Sequence, residues 1–296
     1  MLFLSARRFV AGLVVIAGIS QAAFAAEILI ADEKSQPESL TVAPGGVLIV
    51  GSASSPFVYK VPKGATAAEK FIDASSEPAG TFFFGMLADA SSKTLWTCQL
   101  TPVPNTTPVQ RHTTLRSFDL STGAAKIRWN LPGENSTCND FSIGPDKALY
   151  VTDTANGKIY RLAAGSSTPE LFLEDMATLR GIDGITFLNG TLYVNNVIAS
   201  KIYRIPVSGG KAGQPIEIVL DQPVKGPDGM RAANGKLFVA ENGAGKISAI
   251  TVNGDKGSVT VLKDGLKTPT GVEPAGDTLW FTERAIGKAE SMPMPK

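Results

Sequence analysis

The chain has 296 residues, and its 28 basic residues nearly balance its 27 acidic ones. The chain has no basic run and no lysine patch with interleaved aromatics, so it lacks the charge pattern of a nucleic-acid-binding protein. Length alone would allow one or two domains, but the repeats described below run on without a linker, so we expect a single domain over residues 26–296.

The first 25 residues have the pattern of a signal peptide. Arg7 and Arg8 form a basic region, residues 10–19 an apolar stretch, and residues 23–25 a small-x-small cleavage site. The apolar stretch is shorter than the roughly 20 residues that a membrane-spanning helix needs. The sequence therefore predicts export, to the periplasm or out of the cell, and no membrane span.

Residues 27–31 are predicted to form a lone strand, after which a β-hairpin recurs six times. Each copy has a core leucine in an alternating strand, a turn rich in Gly, Asn or Asp, and a second alternating strand. Successive core leucines are 47, 54, 43, 45 and 42 residues apart. They are Leu48, Leu95, Leu149, Leu192, Leu237 and Leu279.

A period in the forties with four short strands per repeat is typical of β-propeller blades. We therefore predict an all-β fold, a six-bladed β-propeller of four-stranded blades. The last repeat has room for only three strands before residue 296. The strand at 27–31 is expected to complete that blade, which closes the ring without a long unpaired edge.

The second repeat contains an insertion at residues 99–114 with three prolines. It is predicted to be a loop that overhangs one mouth of the central channel, with a variable surface loop as the alternative. The only histidine, His112, lies in it. With no histidine partner and no GxSxG motif, we expect His112 to be a surface residue without a catalytic role.

The chain has two cysteines, Cys98 and Cys138. Cys98 ends the second strand of blade 2, and Cys138 starts the innermost strand of blade 3. Both positions lie at the same face of a propeller, and export permits a disulfide. We expect a Cys98–Cys138 bridge, the alternative being two unpaired thiols.

Four polar residues share one position in the repeat. Glu38, Asn139, Asp183 and Asp228 precede their core leucines by 10, 10, 9 and 9 residues. The innermost strands start around one mouth of the channel, so we expect these side chains to converge there. Clustered carboxylates need either raised pKa values or a cation. Turn and capping roles are the alternative for Asp and Asn, but the shared position in four repeats favours a site.

Oxygen donors without Cys or His suit a hard divalent ion such as Ca²⁺, Mg²⁺ or Mn²⁺. A catalytic Zn²⁺ would more usually take His or Cys, although oxygen ligands do not exclude it. We expect one ion, with Ca²⁺ as the first choice.

The segments around these four residues resemble the senescence marker protein/gluconolactonase family of six-bladed propellers, and more distantly the paraoxonase and strictosidine-synthase-like propellers. The matching segments are Pro37-Glu38-Ser39, Cys138-Asn139-Asp140, Ile182-Asp183-Gly184-Ile185 and Gly226-Pro227-Asp228-Gly229-Met230. The resemblance implies that Glu38, Asp183 and Asp228 bind one divalent metal and that Asp228 is the general base. It also implies that Asn139 orients the substrate or a metal-bound water.

The chain departs from this family at two positions. Asp183 stands where the family usually has an asparagine ligand, and Thr137 stands where sugar lactonases often have an arginine. Arg111, Arg180 and Arg231 are candidates to replace that arginine. The substrate is therefore predicted as a lactone or related ester rather than a particular sugar lactone.

The resemblance thus implies a metal-dependent lactonase or esterase that acts on a small molecule. We expect the protein to be a monomer. The alternative is a non-catalytic propeller with a structural metal that binds a small ligand or a protein. A metal-free, synthase-like propeller is a third hypothesis, but it would not need Glu38 and Asp228 together.

Overall fold

A computed structural model describes residues 25–133 and 135–295. Its strands form six main sheets in a ring, each built on four antiparallel strands, so the predicted six-bladed β-propeller is confirmed. The signal peptide predicted for residues 1–25 lies almost wholly outside the described residues. Within the described ranges, no helix is long and apolar enough to cross a membrane.

The first three blades follow one another from the N-terminal strand, and the first strand of each blade lines the channel. The lone strand is β1, Glu27–Leu29. Blade 1 comprises β2 (Pro37–Ala43), β3 (Val47–Ser52), β4 (Phe57–Val61) and β5 (Glu69–Asp73). Blade 2 comprises β6 (Phe82–Asp89), β7 (Thr94–Pro102), β8 (Arg111–Asp119) and β9 (Ala125–Asn130). Blade 3 comprises β10 (Cys138–Ile143), β11 (Leu149–Asp153), β12 (Lys158–Leu162) and β13 (Glu170–Glu174).

A one-turn α-helix, α1 (Met176–Leu179), leads into the second half of the ring. Blade 4 comprises β14 (Ile182–Leu188), β15 (Thr191–Asn196), β16 (Lys201–Ile205) and β19 (Ile216–Glu217). Between β16 and β19 the chain forms a separate two-stranded ribbon of β17 (Val207–Ser208) and β18 (Lys211–Ala212). Blade 5 comprises β20 (Val219–Leu220), β21 (Pro227–Ala233), β22 (Lys236–Glu241), β23 (Lys246–Asn253) and β24 (Lys256–Lys263). Blade 6 comprises β25 (Val272–Ala275), β26 (Thr278–Glu283) and, after a 3₁₀ turn at Arg284–Ile286, β27 (Lys288–Pro293).

The N-terminal strand closes the ring as predicted. Strand β1 pairs antiparallel with β27, with Glu27 opposite Glu290 and Leu29 opposite Lys288. It becomes the outer strand of blade 6. This blade therefore takes three strands from residues 272–293 and its fourth from residues 27–29. This pairing covers the edge that β27 would otherwise expose.

Two local predictions differ from the structure. The insertion at 99–114 is mostly an extension of the β7–β8 hairpin, and only residues 103–110 form its loop, because Leu100 pairs with Thr113 and Pro102 with Arg111. Four strands per repeat would make the segment at 216–219 one outer strand of blade 4. It divides instead, since Val219 and Leu220 pair parallel with β24 of blade 5.

The core of the molecule lies between neighbouring blades. The residue after each core leucine is aromatic in five of the six blades, and its ring packs in or beside this core. The Tyr150 ring, for example, lies 5.0 Å from both Phe172 of its own blade and Phe187 of blade 4. These aromatics are Trp96, Tyr150, Tyr193, Phe238 and Trp280, and blade 1 has Ile49 instead. They act as packing residues between blades.

A disulfide joins blades 2 and 3 on the face where the innermost strands begin. It connects Cys98 in β7 to Cys138, the first residue of β10, across 40 residues of sequence. The two Cα atoms are 5.5 Å apart, and both cysteines are fully buried. The bridge therefore fixes the start of β10 to its neighbouring blade.

Candidate functional site at the channel mouth

Each of the four residues singled out by the repeat is the second residue of an innermost strand. Glu38 follows Pro37 in β2, Asn139 follows Cys138 in β10, Asp183 follows Ile182 in β14, and Asp228 follows Pro227 in β21. In all four strands the pairing register shifts directly after this position. Such bulges bend a strand and redirect a side chain. Here they accompany side chains that turn into the channel mouth.

The structure brings these four side chains together around one small cavity. Its volume is about 10 Å³, close to that of a single water-sized probe. The side chains are almost wholly buried, with exposed fractions of 5–7%. The other residues that line the cavity are Ser39, Gly85, Asp140, Gly229 and Thr270. Blades 2 and 6 have no acidic or amide residue at this position of the repeat. They contribute Gly85 and Thr270 to the cavity lining instead.

Neutral amide groups hold the carboxylates in place. The side-chain Nδ2 of Asn139 donates to Oδ2 of Asp183 at 2.8 Å. Asn242 donates in the same way to Oδ2 of Asp228 at 3.0 Å, and the backbone N–H of Gly85 donates to Oε2 of Glu38 at 3.3 Å. None of these donors carries a positive charge, so the carboxylates are oriented without being neutralised.

Glycines allow neighbouring blades to meet closely at the mouth. A Cβ on Gly85 would lie 2.0 Å from the carbonyl oxygen of Asn139, and Gly85 has a positive φ of 53°. The glycine after Asp228 is equally constrained, because a Cβ on Gly229 would lie 2.6 Å from the Thr270 carbonyl oxygen. Asp-Gly pairs are common in turns, but Gly184 and Gly229 lie within strands where a neighbouring backbone passes.

Burial and mutual repulsion make the cluster electrostatically unfavourable. Burial, followed by the nearby charge of Asp228, raises the pKa of both Glu38 and Asp183 well above the usual range. Burial also raises the pKa of Asp228, to about 7, against the opposing effects of the Asn242 hydrogen bond and of Arg284. The metal-free cluster therefore holds protons that isolated carboxylates would have lost.

A second charged network lies deeper in the channel, on residues one to three positions further along the innermost strands. The guanidinium of Arg231 donates from Nη1 to Oδ2 of Asp140 at 2.6 Å and from Nη2 to Oδ1 at 2.9 Å. Its Nε donates to Oε2 of Glu273 at 3.0 Å, and its Nη2 to the Met86 carbonyl at 3.2 Å. One arginine thus connects blades 2, 3, 5 and 6 across the channel.

Sequence analysis missed this network. Arg231 was considered as a substrate-binding residue, but it is almost buried and faces Asp140 and Glu273. The sign of this network in the sequence is that a charged residue follows Asp228 by three positions within an innermost strand. Because Arg231 already faces two carboxylates, it leaves no surplus positive charge for Glu38, Asp183 and Asp228.

The donor set of the mouth cluster fits a hard divalent cation. It offers three carboxylates and an amide on one small cavity, with an excess of buried negative charge. Within residues 25–133 and 135–295, no group of three His, Cys, Asp or Glu side chains has the mutual spacing of a closed metal centre. The residue types and charge therefore suit a cation, although the side chains do not yet enclose one.

A larger cleft lies beside the cluster, between blades 2 and 3. Its volume is about 300 Å³, and it is lined on one side by Phe82, Phe84 and Leu100. Arg111 and Thr137 line the same cleft. Arg111 therefore shares the cleft with the position at which sugar lactonases often have an arginine. The Arg111 guanidinium lies 5.3 Å from the centre of the Phe82 ring. Since Phe84 precedes Gly85 and Thr137 precedes Asn139 by two residues, the cleft adjoins the cluster.

The remaining candidates lie away from the cluster. His112 is exposed on β8 and lines a cavity of about 200 Å³ that shares Arg111, Ser136 and other lining residues with the cleft between blades 2 and 3. Arg180 is exposed after α1, and its carbonyl accepts a hydrogen bond from Asn196. Neither residue lines the small cavity at the mouth.

No family model matches this chain, and no curated protein does. Solved six-bladed propellers are similar to it over nearly their whole length. A gluconolactonase from Xanthomonas campestris is 17% identical, with a TM-score of 0.68 over 92% of this chain and 90% of its own. Virginiamycin B lyase from Staphylococcus aureus is also 17% identical, with a TM-score of 0.65 over 92% of this chain and 99% of its own.

A third similar structure is the PQQ-bound aldose sugar dehydrogenase from Streptomyces coelicolor, at 16% identity and a TM-score of 0.60 over 91% of this chain and 98% of its own. These proteins have different activities on one architecture. At such low identity the likeness establishes the shared fold, and function has to be argued from the site.

Proposed function

We propose that this protein is a metal-dependent hydrolase of a lactone or related ester. The observation that carries the proposal is the convergence of Glu38, Asn139, Asp183 and Asp228 on one cavity from four separate blades. Structural likeness to a gluconolactonase supports a lactonase-type propeller. The proposed setting is the periplasm or the outside of the cell, with the protein as a monomer.

The residues proposed to hold the ion are Glu38, Asp183 and Asp228, and Ca²⁺ is the proposed ion, with Mg²⁺, Mn²⁺ or Zn²⁺ as alternatives. A divalent ion bound there would polarise the substrate carbonyl and stabilise developing negative charge on its oxygen. Asp183, in place of an asparagine, adds a negative charge that should strengthen cation binding.

Asp228 is the proposed general base that takes a proton from the attacking water. Burial raises the pKa of Asp228 to about 7 in the absence of a cation, and a bound divalent ion would lower it and keep the carboxylate ionised, ready to accept a proton. Asn139 is proposed to orient the substrate carbonyl or the water. Its amide is already fixed by hydrogen bonds to Asp183 at 2.8 Å and Thr154 at 3.2 Å.

The cleft between blades 2 and 3 is the proposed place for the rest of the substrate. It combines the apolar surface of Phe82, Phe84 and Leu100 with the cation of Arg111. Arg111 there takes the position left without a cation by Thr137. Gln110, Asn135, Ser136 and Thr137 also line the cleft, so it offers the substrate polar as well as apolar contacts.

The deciding experiment measures bound metal in the purified protein and then hydrolysis of a lactone panel, with and without a chelator. We expect chelation to abolish turnover and one divalent ion to restore it. Asp228→Ala should fold and lose activity, whereas Asp255→Ala, at an exposed pair with Arg204, should keep it. A folded Asp228→Ala variant with wild-type turnover would overturn the mechanism.

One observation favours a second function, a non-catalytic propeller with a structural ion. The mouth cavity of about 10 Å³ has space for one ion and little else. A stoichiometric ion without turnover of any lactone or ester would support this alternative. A lyase of the virginiamycin B type is less favoured: a histidine-to-alanine variant of that enzyme is catalytically inactive, and here no histidine lines the cluster.

A further inference from the structure

A cavity between blades 1 and 2 lies away from the channel mouth. Its volume is about 570 Å³, and its apolar lining includes Val47, Ile49 and Phe71 of blade 1 and Leu120 of blade 2. Ala43, the last residue of β2, also lines it and comes five residues after Glu38 on that strand. At about 3.3 Å per residue, this places the cavity roughly 16 Å from the carboxylate cluster, at the opposite face.

The cavity exists because blade 1 lacks the packing residue that fills this space elsewhere. Five blades have an aromatic residue after the core leucine, but blade 1 has Ile49. The partner across the blade boundary is also small. Phe187 pairs with the core leucine of blade 4 and meets the Tyr150 ring at 5.0 Å, whereas its counterpart in blade 2 is Ala88. Between blades 1 and 2 neither side chain is a ring, whereas every other boundary has at least the aromatic residue that follows the core leucine.

The polar groups around the cavity are mainly cationic. Lys60 and Lys93 line it with Ser121, and no acidic residue does. Within the described part of the chain, the Lys93 side chain makes no ion pair, while Lys60 pairs with the exposed Glu69 at 3.3 Å. A pair so exposed contributes little and yields readily to a competing anion. The apolar wall therefore carries available positive charge at its rim.

We propose that this cavity binds an amphipathic carboxylate, such as a medium-chain fatty acid. The alkyl chain would occupy the space between blades 1 and 2, and the carboxylate would meet Lys93 and Lys60. The volume is within the range of ligand pockets, which are mostly apolar with a few polar groups that fix orientation. The site is separate from the proposed catalytic cluster and does not depend on its activity.

The test is calorimetric titration of the purified protein with decanoate and, in parallel, with uncharged decanol. Ile49→Trp restores the residue type that the other blades have and should abolish decanoate binding. Ala43→Leu, which copies Leu188 of blade 4, provides a second cavity-filling variant if the tryptophan variant fails to fold. Lys93→Gln should weaken decanoate binding roughly two- to fivefold, the effect of one exposed ion pair.

Lys147→Gln is the matched control for Lys93→Gln. Lys147 also precedes its core leucine by two residues with a positive φ, but at its boundary, between blades 2 and 3, the ring of Trp96 stands where Ile49 stands at the cavity. This variant should bind decanoate as the wild type does. Saturable binding that the filling variants remove supports the site. No saturable binding of decanoate, or undiminished binding by a folded Ile49→Trp or Ala43→Leu variant, overturns it; equally tight binding of decanol overturns the role of the lysines.

Discussion

The amide of Asn139 donates to the carboxylate of Asp183 across the boundary between blades 3 and 4, with 2.8 Å between Nδ2 and Oδ2. The pair is buried at the channel mouth, where Glu38 and Asp228 raise the local negative potential. Asn139 thus fixes the orientation of Asp183 while leaving its charge intact. This arrangement keeps the carboxylate available for a cation.

Replacing this amide by a carboxylate should expose the charge imbalance. Asn139→Asp removes the donor and adds a carboxyl group beside Glu38, Asp183 and Asp228, so we expect the metal-free protein to lose about 1–3 kcal/mol of unfolding free energy. Added Ca²⁺ should restore more stability to this variant than to the wild type. Urea unfolding with chelator and with Ca²⁺ measures both effects. Asn156→Asp is the control, since Asn156 makes a similar bond to Asp153 at 3.0 Å outside the cluster.

The stability of the metal-free protein should fall as pH rises through the acidic range. Burial raises the pKa of Asp228 to about 7 from 3.8, so between these values the folded state binds more protons than the unfolded state. The stabilisation from this group is complete below pH 4 and is lost as pH rises to 7, with a slope of up to about 1.4 kcal/mol per pH unit. Asp228→Asn should flatten the profile, and identical profiles for the two proteins would contradict the prediction.

Removing the buried arginine should be far more damaging than removing an exposed one. Arg231→Met leaves Asp140 and Glu273 buried without their cation, and we expect a loss of about 3–5 kcal/mol in unfolding free energy. Arg204→Met breaks a partly exposed pair with Asp255 and should cost less than about 1 kcal/mol. Denaturant unfolding of both variants gives the comparison. Similar losses of unfolding free energy for the two variants would mean that Arg231 does not hold the blades together.

A methyl group at Gly85 should disturb the mouth more than the same change at a free turn. Gly85 and Gly45 both have positive φ, so alanine meets similar backbone strain, about 1–2 kcal/mol, at each. Only at Gly85 would the new Cβ collide with the Asn139 carbonyl oxygen; nothing lies within 4 Å of it at Gly45. Gly85→Ala should therefore lose additional stability and weaken divalent-ion binding, as measured by unfolding and by calorimetry. Equal effects at both glycines would be inconsistent with a clash at the mouth.

The disulfide should contribute substantially to stability. For a closed loop of 40 residues, chain entropy predicts about 4 kcal/mol. We expect the Cys98→Ala/Cys138→Ala protein to unfold at lower urea concentration by a matching amount and to show no further change with reductant. Wild-type protein should resist mild reductant, because both cysteines are fully buried. A double variant as stable as the oxidised wild type would remove this role.

The sequence predicted the blades well because each blade repeats its own local pattern. Alternation around Leu149 or Leu237 specifies a strand, and the Gly and Asn turns specify hairpins, so these elements depend little on distant residues. The role of residues 27–31 was also predictable, since a ring leaves one place for an extra strand. The shared position of Glu38 and Asp183 indicated convergence in the same way.

Features that depend on several blades at once were not predictable. Arg231 contacts Asp140 from 91 residues away, and no spacing rule connects them. The glycines at 184 and 229 resembled turn residues, although the reason for them is the backbone of the next blade. The cavity at Ile49 required knowing which side chains face one boundary. The insertion at 99–114 was misread as a loop because its prolines concealed a hairpin that continues from β7 into β8.

The closure of blade 6 by β1 has a consequence for how the protein acquires its site. Glu38 and Asp228 lie 190 positions apart in the chain, and they are held together only when the ring is complete. The ring is complete only after Lys288–Pro293 has paired with Glu27–Leu29. Contacts between such distant segments slow folding, because loop closure must precede them. The cluster is therefore a late product of folding, and the proposed cation binding should begin only once the last blade has closed.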